Sequence, residues 1–369
     1  MTNQQSHAIL LVTIPGLERA LLLEAKENGF DDAQATKGGV LINGSWEDVW
    51  RANLVLRGPS KVLVRIGSFH AVHLAQLDKR ARRFAWKETL RPDVPVRVDV
   101  ASHKSRIYHK KAAAQRIERA ITEELGAPIS ADADICIKVR IVEDECTFSI
   151  DSSGDGLHIR GHKEALNKAP MRETMASLML RICKFNGKEP VIDPMCGSGT
   201  FVIEAAEISA GLYPGRSRNF AFEKLANFKA ARFEKLKSAV TLKSPDACFY
   251  GYDRDAGAIE RSIANAKRSD VSALTQFHRQ TVTQLEPPEG PTGLVIINPP
   301  YGVRIGEEKQ LLPLYQSLGD ALRKKFPGWR VGLVTNSHKL ATATRLPFHA
   351  TVTPFSHGGI KVKLYTAEL

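Results

Sequence analysis

The segment Asn298-Pro299-Pro300-Tyr301-Gly302 follows directly on four apolar residues, Leu294-Val295-Ile296-Ile297, and its residue types suit one kind of chemistry. Two adjacent prolines fix φ and remove two backbone donors, so the loop is stiff and its carbonyls point outward without internal partners. A planar amine could give its hydrogens to the Asn298 side-chain oxygen and the Pro299 carbonyl, while Tyr301 offers a flat face for an aromatic base. That describes a pocket for an exocyclic amino group. A rigid turn with a buried tyrosine would use the same residues, because proline-rich turns are common.

A second loop lies upstream. Pro190-Val191-Ile192 leads into Asp193-Pro194-Met195-Cys196-Gly197-Ser198-Gly199-Thr200 and then Phe201-Val202-Ile203-Glu204-Ala205-Ala206, which reads as a short buried strand, a glycine turn and an amphipathic helix. Gly197 and Gly199 permit positive φ and close approach to a ligand, and the helix N-terminus behind them supplies free amides. A dinucleotide fingerprint would need glycine three residues after Gly199, where Val202 stands. Asp193 would repel a pyrophosphate but could hold the ammonium of an amino acid. Further on, Cys248-Phe249-Tyr250-Gly251-Tyr252-Asp253 reads as a second strand closed by an acidic residue, well placed to accept both ribose hydroxyls of an adenosine moiety. Capping the next helix is the other duty open to Asp253, and Asp255 competes for it.

These loops need a scaffold. Strands at 190–193, 249–252, 294–297 and 331–335 and a hairpin-like C-terminal region alternate with helices, the signature of a doubly wound sheet. Ahead of them, His7 to Thr13 reads as a strand, and Pro15-Gly16-Leu17 opens a helix that Gly29 ends. Strands at 39–42 and 62–66 and a helix at 46–55 complete a small α+β, ferredoxin-like unit. Val96 to Val100, Ile135 to Val142 and Cys146 to Asp151 alternate as half-buried strands around an amphipathic helix beginning near Ala112. Ser152 to Gly156 form a turn.

In this order and spacing the residues resemble the class I S-adenosylmethionine-dependent methyltransferases. More narrowly they resemble the RNA guanine methyltransferases that carry a THUMP domain, among them bacterial large-subunit ribosomal RNA guanine-N2 methyltransferases and archaeal transfer RNA relatives. Asp193 to Thr200, Gly251-Tyr252-Asp253-Arg254-Asp255 and Asn298 to Gly302 carry the resemblance. His158-Ile159-Arg160-Gly161-His162, followed by Ala169-Pro170-Met171-Arg172-Glu173-Thr174, looks like the family's passage into its catalytic domain. The implied fold is α/β: a Rossmann-like class I methyltransferase domain over residues 169–369, preceded by an α+β ferredoxin-like domain over 1–65, a THUMP RNA-binding domain over 66–155 and a linker over 156–168. The resemblance also implies that Asp193, Pro194, Cys196, Gly197, Gly199 and Thr200 hold the methionine end of S-adenosylmethionine and that Asp253 holds its ribose. Asn298, Pro299 and Tyr301 would receive the target amine, with Asn298 also at the cofactor. Where the family often places an aspartate near the adenine amine, this chain has Arg279-Gln280-Thr281-Val282, so no residue is carried over for that contact. The expected reaction is methyl transfer to the N2 amine of a guanosine in RNA, with 23S ribosomal RNA favoured over transfer RNA. Adenine-N6 methylation of RNA or DNA and a non-catalytic RNA-binding assembly factor are the rival readings.

At 369 residues the chain can bury a full catalytic core beside one or two further domains. Its 43% hydrophobic and 25% charged residues are those of an ordinary globular protein. No apolar run approaches a membrane span, and Met1 to Gln5 lack a basic region and a secretory core, so a cytoplasmic protein without a membrane partner is expected. Cys136, Cys146, Cys183, Cys196 and Cys248 are scattered, odd in number and without metal spacing, which predicts reduced thiols, no disulfide and no metal. His70 with His73, and His357, lack further ligands nearby in the sequence. A net charge of +12 points to a polyanionic partner. The charge concentrates at Lys79 to Lys87 and His103 to Lys111, each with an aromatic among the cations, and Arg80, Arg82, Arg83, Lys104, Arg106, Lys110 and Lys111 are the expected RNA contacts. Solvated helix faces would show the same runs.

Overall fold

The computed structural model describes residues 6–163, 171–301, 307–351, 353–357 and 359–369. Met1 to Gln5, Ala169, Pro170, Gly302 and Gly358, which figure in the sequence reading, lie outside the described residues. The strands are β1 (His7–Val12), β2 (Gln34–Thr36), β3 (Gly39–Gly44), β4 (Lys61–His70), β5 (Val96–His103), β6 (Ile135–Val142), β7 (Glu145–Asp151), β8 (Val191–Asp193), β9 (Phe249–Asp253), β10 (Thr275–Arg279), β11 (Leu294–Ile297), β12 (Arg330–Thr335), β13 (Thr353–His357) and β14 (Ile360–Glu368). The helices are α1 (Glu18–Glu27), α2 (Trp46–Val55), α3 (Leu74–Arg82), α4 (Lys110–Leu125), α5 (Glu173–Ile182), α6 (Thr200–Ser209), α7 (Ala230–Ser238), α8 (Ala256–Arg268), α9 (Glu307–Lys325) and α10 (His338–Ala343).

Two compact units result. One gathers the chain up to Thr13 with Glu24–Leu157 and Arg218–Ala239; the other gathers Ile14–Leu23, His158–Ser217 and Val240–Leu369. The first is built on one sheet in the order β2-β3-β1-β4-β7-β6-β5. Its continuity depends on β4, which the sequence pattern marked only over 62–66. Residues 61–64 of β4 pair with β1, while residues 63–70 pair with β7 across a bulge between Arg65 and Gly67. Helix α2 starts from a reciprocal cap in which Ser45 and Asp48 satisfy each other's free amides. Trp50 on that helix packs against Phe222 and Phe228, so residues from the 218–239 segment complete this unit's core. The aromatics of the first basic run are also core. Trp86 is buried, gives its indole hydrogen to the Ala81 carbonyl and joins Phe84 and Phe148 in one cluster. The expectation that this run offers an exposed stacking ring is therefore corrected: the ring's apolar area is worth more inside.

The second unit has the order β10-β9-β8-β11-β12-β14-β13. Strands β8 to β12 are parallel, and β14 runs antiparallel to β12 and to β13. The central strands β8 and β11 are buried on both faces, which explains their unbroken apolar runs. From β8 the chain builds outward through β9 to β10, then returns to β11 on the other side of β8. Strands β8 and β11 thus flank the point where the order reverses, the place where open α/β sheets leave a crevice beyond their carboxyl ends. Strand β10 was not expected from the sequence. It is half exposed, and its partner β9 supplies the pairing that five mixed residues do not announce.

Candidate active site

Each loop singled out in the sequence leaves the carboxyl end of one of these strands. Asp193 closes β8, Asp253 closes β9 and Asn298 follows β11. Asp193 is 3% exposed, and one carboxylate oxygen accepts from the Met195 amide at 3.0 Å. Burial, with some help from the Asp253 charge, pushes its pKa up to about 8 against the Met195 hydrogen bond. A desolvated carboxyl so poised is suited to a cationic partner. The turn after it is drawn tight. The Cys196 amide donates to the Tyr252 carbonyl at 2.8 Å and the Gly197 amide to Asp253 at 3.0 Å, with Gly197 and Gly199 both at positive φ. A Cβ on Gly199 would lie 3.2 Å from the Phe277 ring. Helix α6 then opens with no side-chain cap, so its first amides, with their share of the helix dipole, lack a capping side chain. Pro194 and Cys196 are buried within the turn. The Cys196 thiol is packed 3.7 Å from the Ser262 hydroxyl and its pKa is raised by burial, which fits a packing role rather than a nucleophile.

The structure decides which of the two acids caps the next helix. Asp255 takes the cap of α8, accepting from the Gly257 amide at 2.9 Å. Asp253 instead accepts from the Gly197 amide on one oxygen and from the Asp255 amide at 3.0 Å on the other. Each oxygen keeps acceptor capacity beyond its one bond, so the half-buried carboxylate can still take a pair of hydroxyls. Thr281 caps a short turn with Gln284, and the Gln280 amide donates to the Gln284 carbonyl, so both side chains have local employment.

The loop after β11 carries an unusual feature. The side-chain oxygen of Asn298 is buried and has no hydrogen-bond partner among the described residues. An orphaned buried acceptor costs about 1–3 kcal/mol and marks a place where a donor is expected. The expectation that the loop carbonyls all lack internal partners is corrected in one case: the Tyr315 hydroxyl on α9 donates to the Pro300 carbonyl at 3.2 Å, bracing the turn from behind. Pro299 is buried, and Tyr301 packs its half-buried ring against the core cluster with its hydroxyl pKa raised by burial. Asn298 therefore sits on a fixed loop with its acceptor already desolvated.

Sequence reasoning gave no individual role to Lys163 or Glu173. Lys163 donates to the Thr200 hydroxyl at 2.8 Å and the Met171 carbonyl at 3.1 Å and pairs with Glu173 at 3.0 Å. Glu173 is itself buried, and burial raises its pKa against the pull of Lys163. Nearby, Arg160 and Glu204 form a pair buried to 2% and 1% exposure. A lysine and a glutamate ten residues apart look like surface residues in sequence. The one hint lay in their flanking the passage into the first glycine loop.

The expected RNA contacts divide. Arg80, Arg83, Lys104, Arg106, Lys110 and Lys111 are exposed, as is Tyr108 at 69%. Arg82 is drawn instead into pairs with Asp78, Glu123 and Glu124, of which Asp78 and Glu123 raise its pKa, so its charge is engaged within the protein. Arg106 lies 3.7 Å from Asp144. The His73 imidazole accepts from the Gln76 amide and caps α3. Among the described residues no three His, Cys, Asp or Glu side chains gather as a metal ion would need, and no helix is long and apolar enough to cross a membrane.

A family model described as the RMKL-like methyltransferase domain matches residues 160–363, more than half of the chain. The chain belongs to the RMKL-like methyltransferase family. Two further models match ahead of it, an RlmL ferredoxin-like domain over residues 8–63 and a THUMP domain over 71–151. The ribosomal RNA large subunit methyltransferase K/L of Vibrio parahaemolyticus is 30% identical over 354 residues, covering 91% of this chain and 50% of that protein. The chain thus spans about half the length of the first curated relatives it matches. Slr0064 of Synechocystis, named as a candidate RNA methyltransferase, is 29% identical over 96% of this chain and 94% of its own. The crystal structure of SMU.472, a candidate methyltransferase complexed with SAH, superposes with a TM-score of 0.86 at 23% identity over 99% of this chain and 98% of that one, which shows a shared fold.

Proposed function

We propose that this RMKL-like methyltransferase transfers a methyl group from S-adenosylmethionine to the N2 amine of a guanosine in RNA, with 23S ribosomal RNA the substrate ahead of transfer RNA. The observation that carries the reading is the buried, unpartnered oxygen of Asn298 beyond the sheet's switch point. The residues present fit the cofactor: a desolvated Asp193 carboxyl for its ammonium, a half-buried Asp253 carboxylate for its ribose, two glycines at positive φ in the turn, and no room for a side chain at Gly199. When bound, the cofactor supplies a methyl group on a sulfonium, an electrophile whose carbon–sulfur pair leaves with sulfur as the new bond forms.

The protein's own part is positioning and dipolar stabilisation. An exocyclic amine is a poor nucleophile because its lone pair is delocalised into the ring. The Asn298 oxygen and the Pro299 carbonyl accept its two hydrogens and favour the geometry in which the lone pair faces the methyl. Those same acceptors gain strength as the nitrogen acquires positive charge, and once the bond has formed one N–H proton passes from the nitrogen to solvent water, leaving the neutral methylated amine. Tyr301 stacks on a base taken out of its helix or loop, which offsets an unstacking cost of a few kcal/mol by about 1–3 kcal/mol. The exposed cations from Arg80 to Lys111 hold the phosphate backbone. The ferredoxin-like and THUMP matches favour RNA over DNA. Incubation with labelled cofactor and separate pools of unmodified ribosomal RNA, transfer RNA and DNA tests this. Label in the ribosomal pool is expected; label in DNA alone, or in none, overturns it.

A further inference from the structure

Lys163 is placed to do more than neutralise a buried carboxylate. Its side chain is 9% exposed and its three hydrogens find three different acceptors: a hydroxyl, a carbonyl and a carboxylate. The hydroxyl belongs to Thr200, the first residue of α6 after the positive-φ Gly199. By donating to that oxygen at 2.8 Å, the ammonium occupies one lone pair of the hydroxyl and turns its hydrogen away from Lys163, so that Thr200 is oriented to donate elsewhere. The Thr200 hydrogen otherwise has the Met171 carbonyl at 3.4 Å, a long contact. Around these groups His162, Glu173, Ser198, Glu204 and Asn265 line a cavity of about 10 Å³. Such a space holds one water and no larger ligand. Lys163 therefore acts through Thr200 and does not itself touch a cofactor. The neighbouring charges are already spent, since Arg160 pairs with Glu204.

We infer that Lys163 is a positioning residue for the methionine end of the cofactor: with Glu173 it locks Thr200, and through it the first turn of α6, in the arrangement that receives an amino-acid carboxylate. This rests on the cofactor reading above. A lysine paired only for stability would need any acceptor; this one holds the first residue of a helix that has no side-chain cap.

Lys163→Met alone leaves Glu173 buried and unpaired and can unfold the protein. The test therefore uses the double variant Lys163→Met/Glu173→Gln, with Thr200→Val as an independent route to the same loss. Calorimetric titration is done with S-adenosylhomocysteine and with adenosine, which lacks the methionine end. The expected result is about tenfold weaker binding of S-adenosylhomocysteine by each variant, the worth of one charge-assisted hydrogen bond, with adenosine binding unchanged. Adding the double substitution to Thr200→Val should cost nothing more, because both act at one point. Equal weakening of both ligands, or no weakening of either, overturns the inference. If the unaltered protein binds neither ligand, the cofactor reading fails and takes the inference with it.

Discussion

Replacing Asp193 by Asn should make the protein more stable and weaken its hold on the cofactor at once. In the folded protein burial pushes the Asp193 carboxyl up to about 8, whereas in an unfolded chain it titrates near the ordinary value of 3.8. A folded-state pKa raised above the unfolded one means that the folded protein holds this proton more tightly. Stability from this group is therefore full below pH 3.8, falls as pH rises, and levels off above about 8. Each pH unit in that window costs about 1.4 kcal/mol, so the penalty reaches about 4 kcal/mol at pH 7, an upper bound because a buried site relaxes when it ionises. Asn removes the penalty and keeps an oxygen for the Met195 amide. Urea unfolding of the free protein and Asp193→Asn at pH 5, 6, 7 and 8 should show a gap in favour of Asn that widens with pH, while the variant's affinity for S-adenosylhomocysteine falls at least tenfold. A gap that stays flat with pH, or an Asn variant that is less stable throughout, would refute the reasoning.

Three other perturbations separate the parts of the site. Asn298→Ala removes an acceptor that makes no hydrogen bond among the described residues, so thermal stability should hold within about 0.5 kcal/mol while kcat drops about 100-fold and cofactor affinity stays; a matching loss of affinity would move Asn298 out of the amine role. Tyr315→Phe deletes the hydroxyl behind the Pro300 carbonyl and should lower kcat about fivefold to tenfold in steady-state assays with little change in KM for the cofactor. Lys110→Glu with Lys111→Glu should weaken RNA binding in filter assays and lessen the slope of log K against log salt by about 1.5, with methyl transfer at saturating RNA retained.

The loops of the candidate site were legible because they combine rare residue types in a fixed order. Two glycines at positive φ, an acid at a strand end and Asn-Pro-Pro-Tyr after an apolar run have few other uses, and β8, β9 and β11 fall where those motifs require. Asp253 and Asp255 were ambiguous in sequence, since both precede a helix, and only the Gly257 amide decides between them. What could not be read depends on distant contacts. Lys163 and Glu173 become a buried pair only when α5 and α6 are brought together. Arg82 looks like a free cation until α4 supplies Glu123 and Glu124. Trp86 sits among basic residues in sequence and among phenylalanines in space. Residues 218–239 carry no change of composition to announce that Phe222 and Phe228 pack on Trp50.

The claim that Asn298 presents an exocyclic amine for methylation is tested most directly by the identity of the product. Ribosomal RNA lacking the modification, treated with the protein and S-adenosylmethionine, would be digested to nucleosides and analysed by mass spectrometry. N2-methylguanosine formed by the unaltered protein and absent with Asn298→Ala is the predicted result. A methyl group on a ring carbon or a ribose oxygen would contradict the account, because neither centre has amine hydrogens for the Asn298 oxygen to accept.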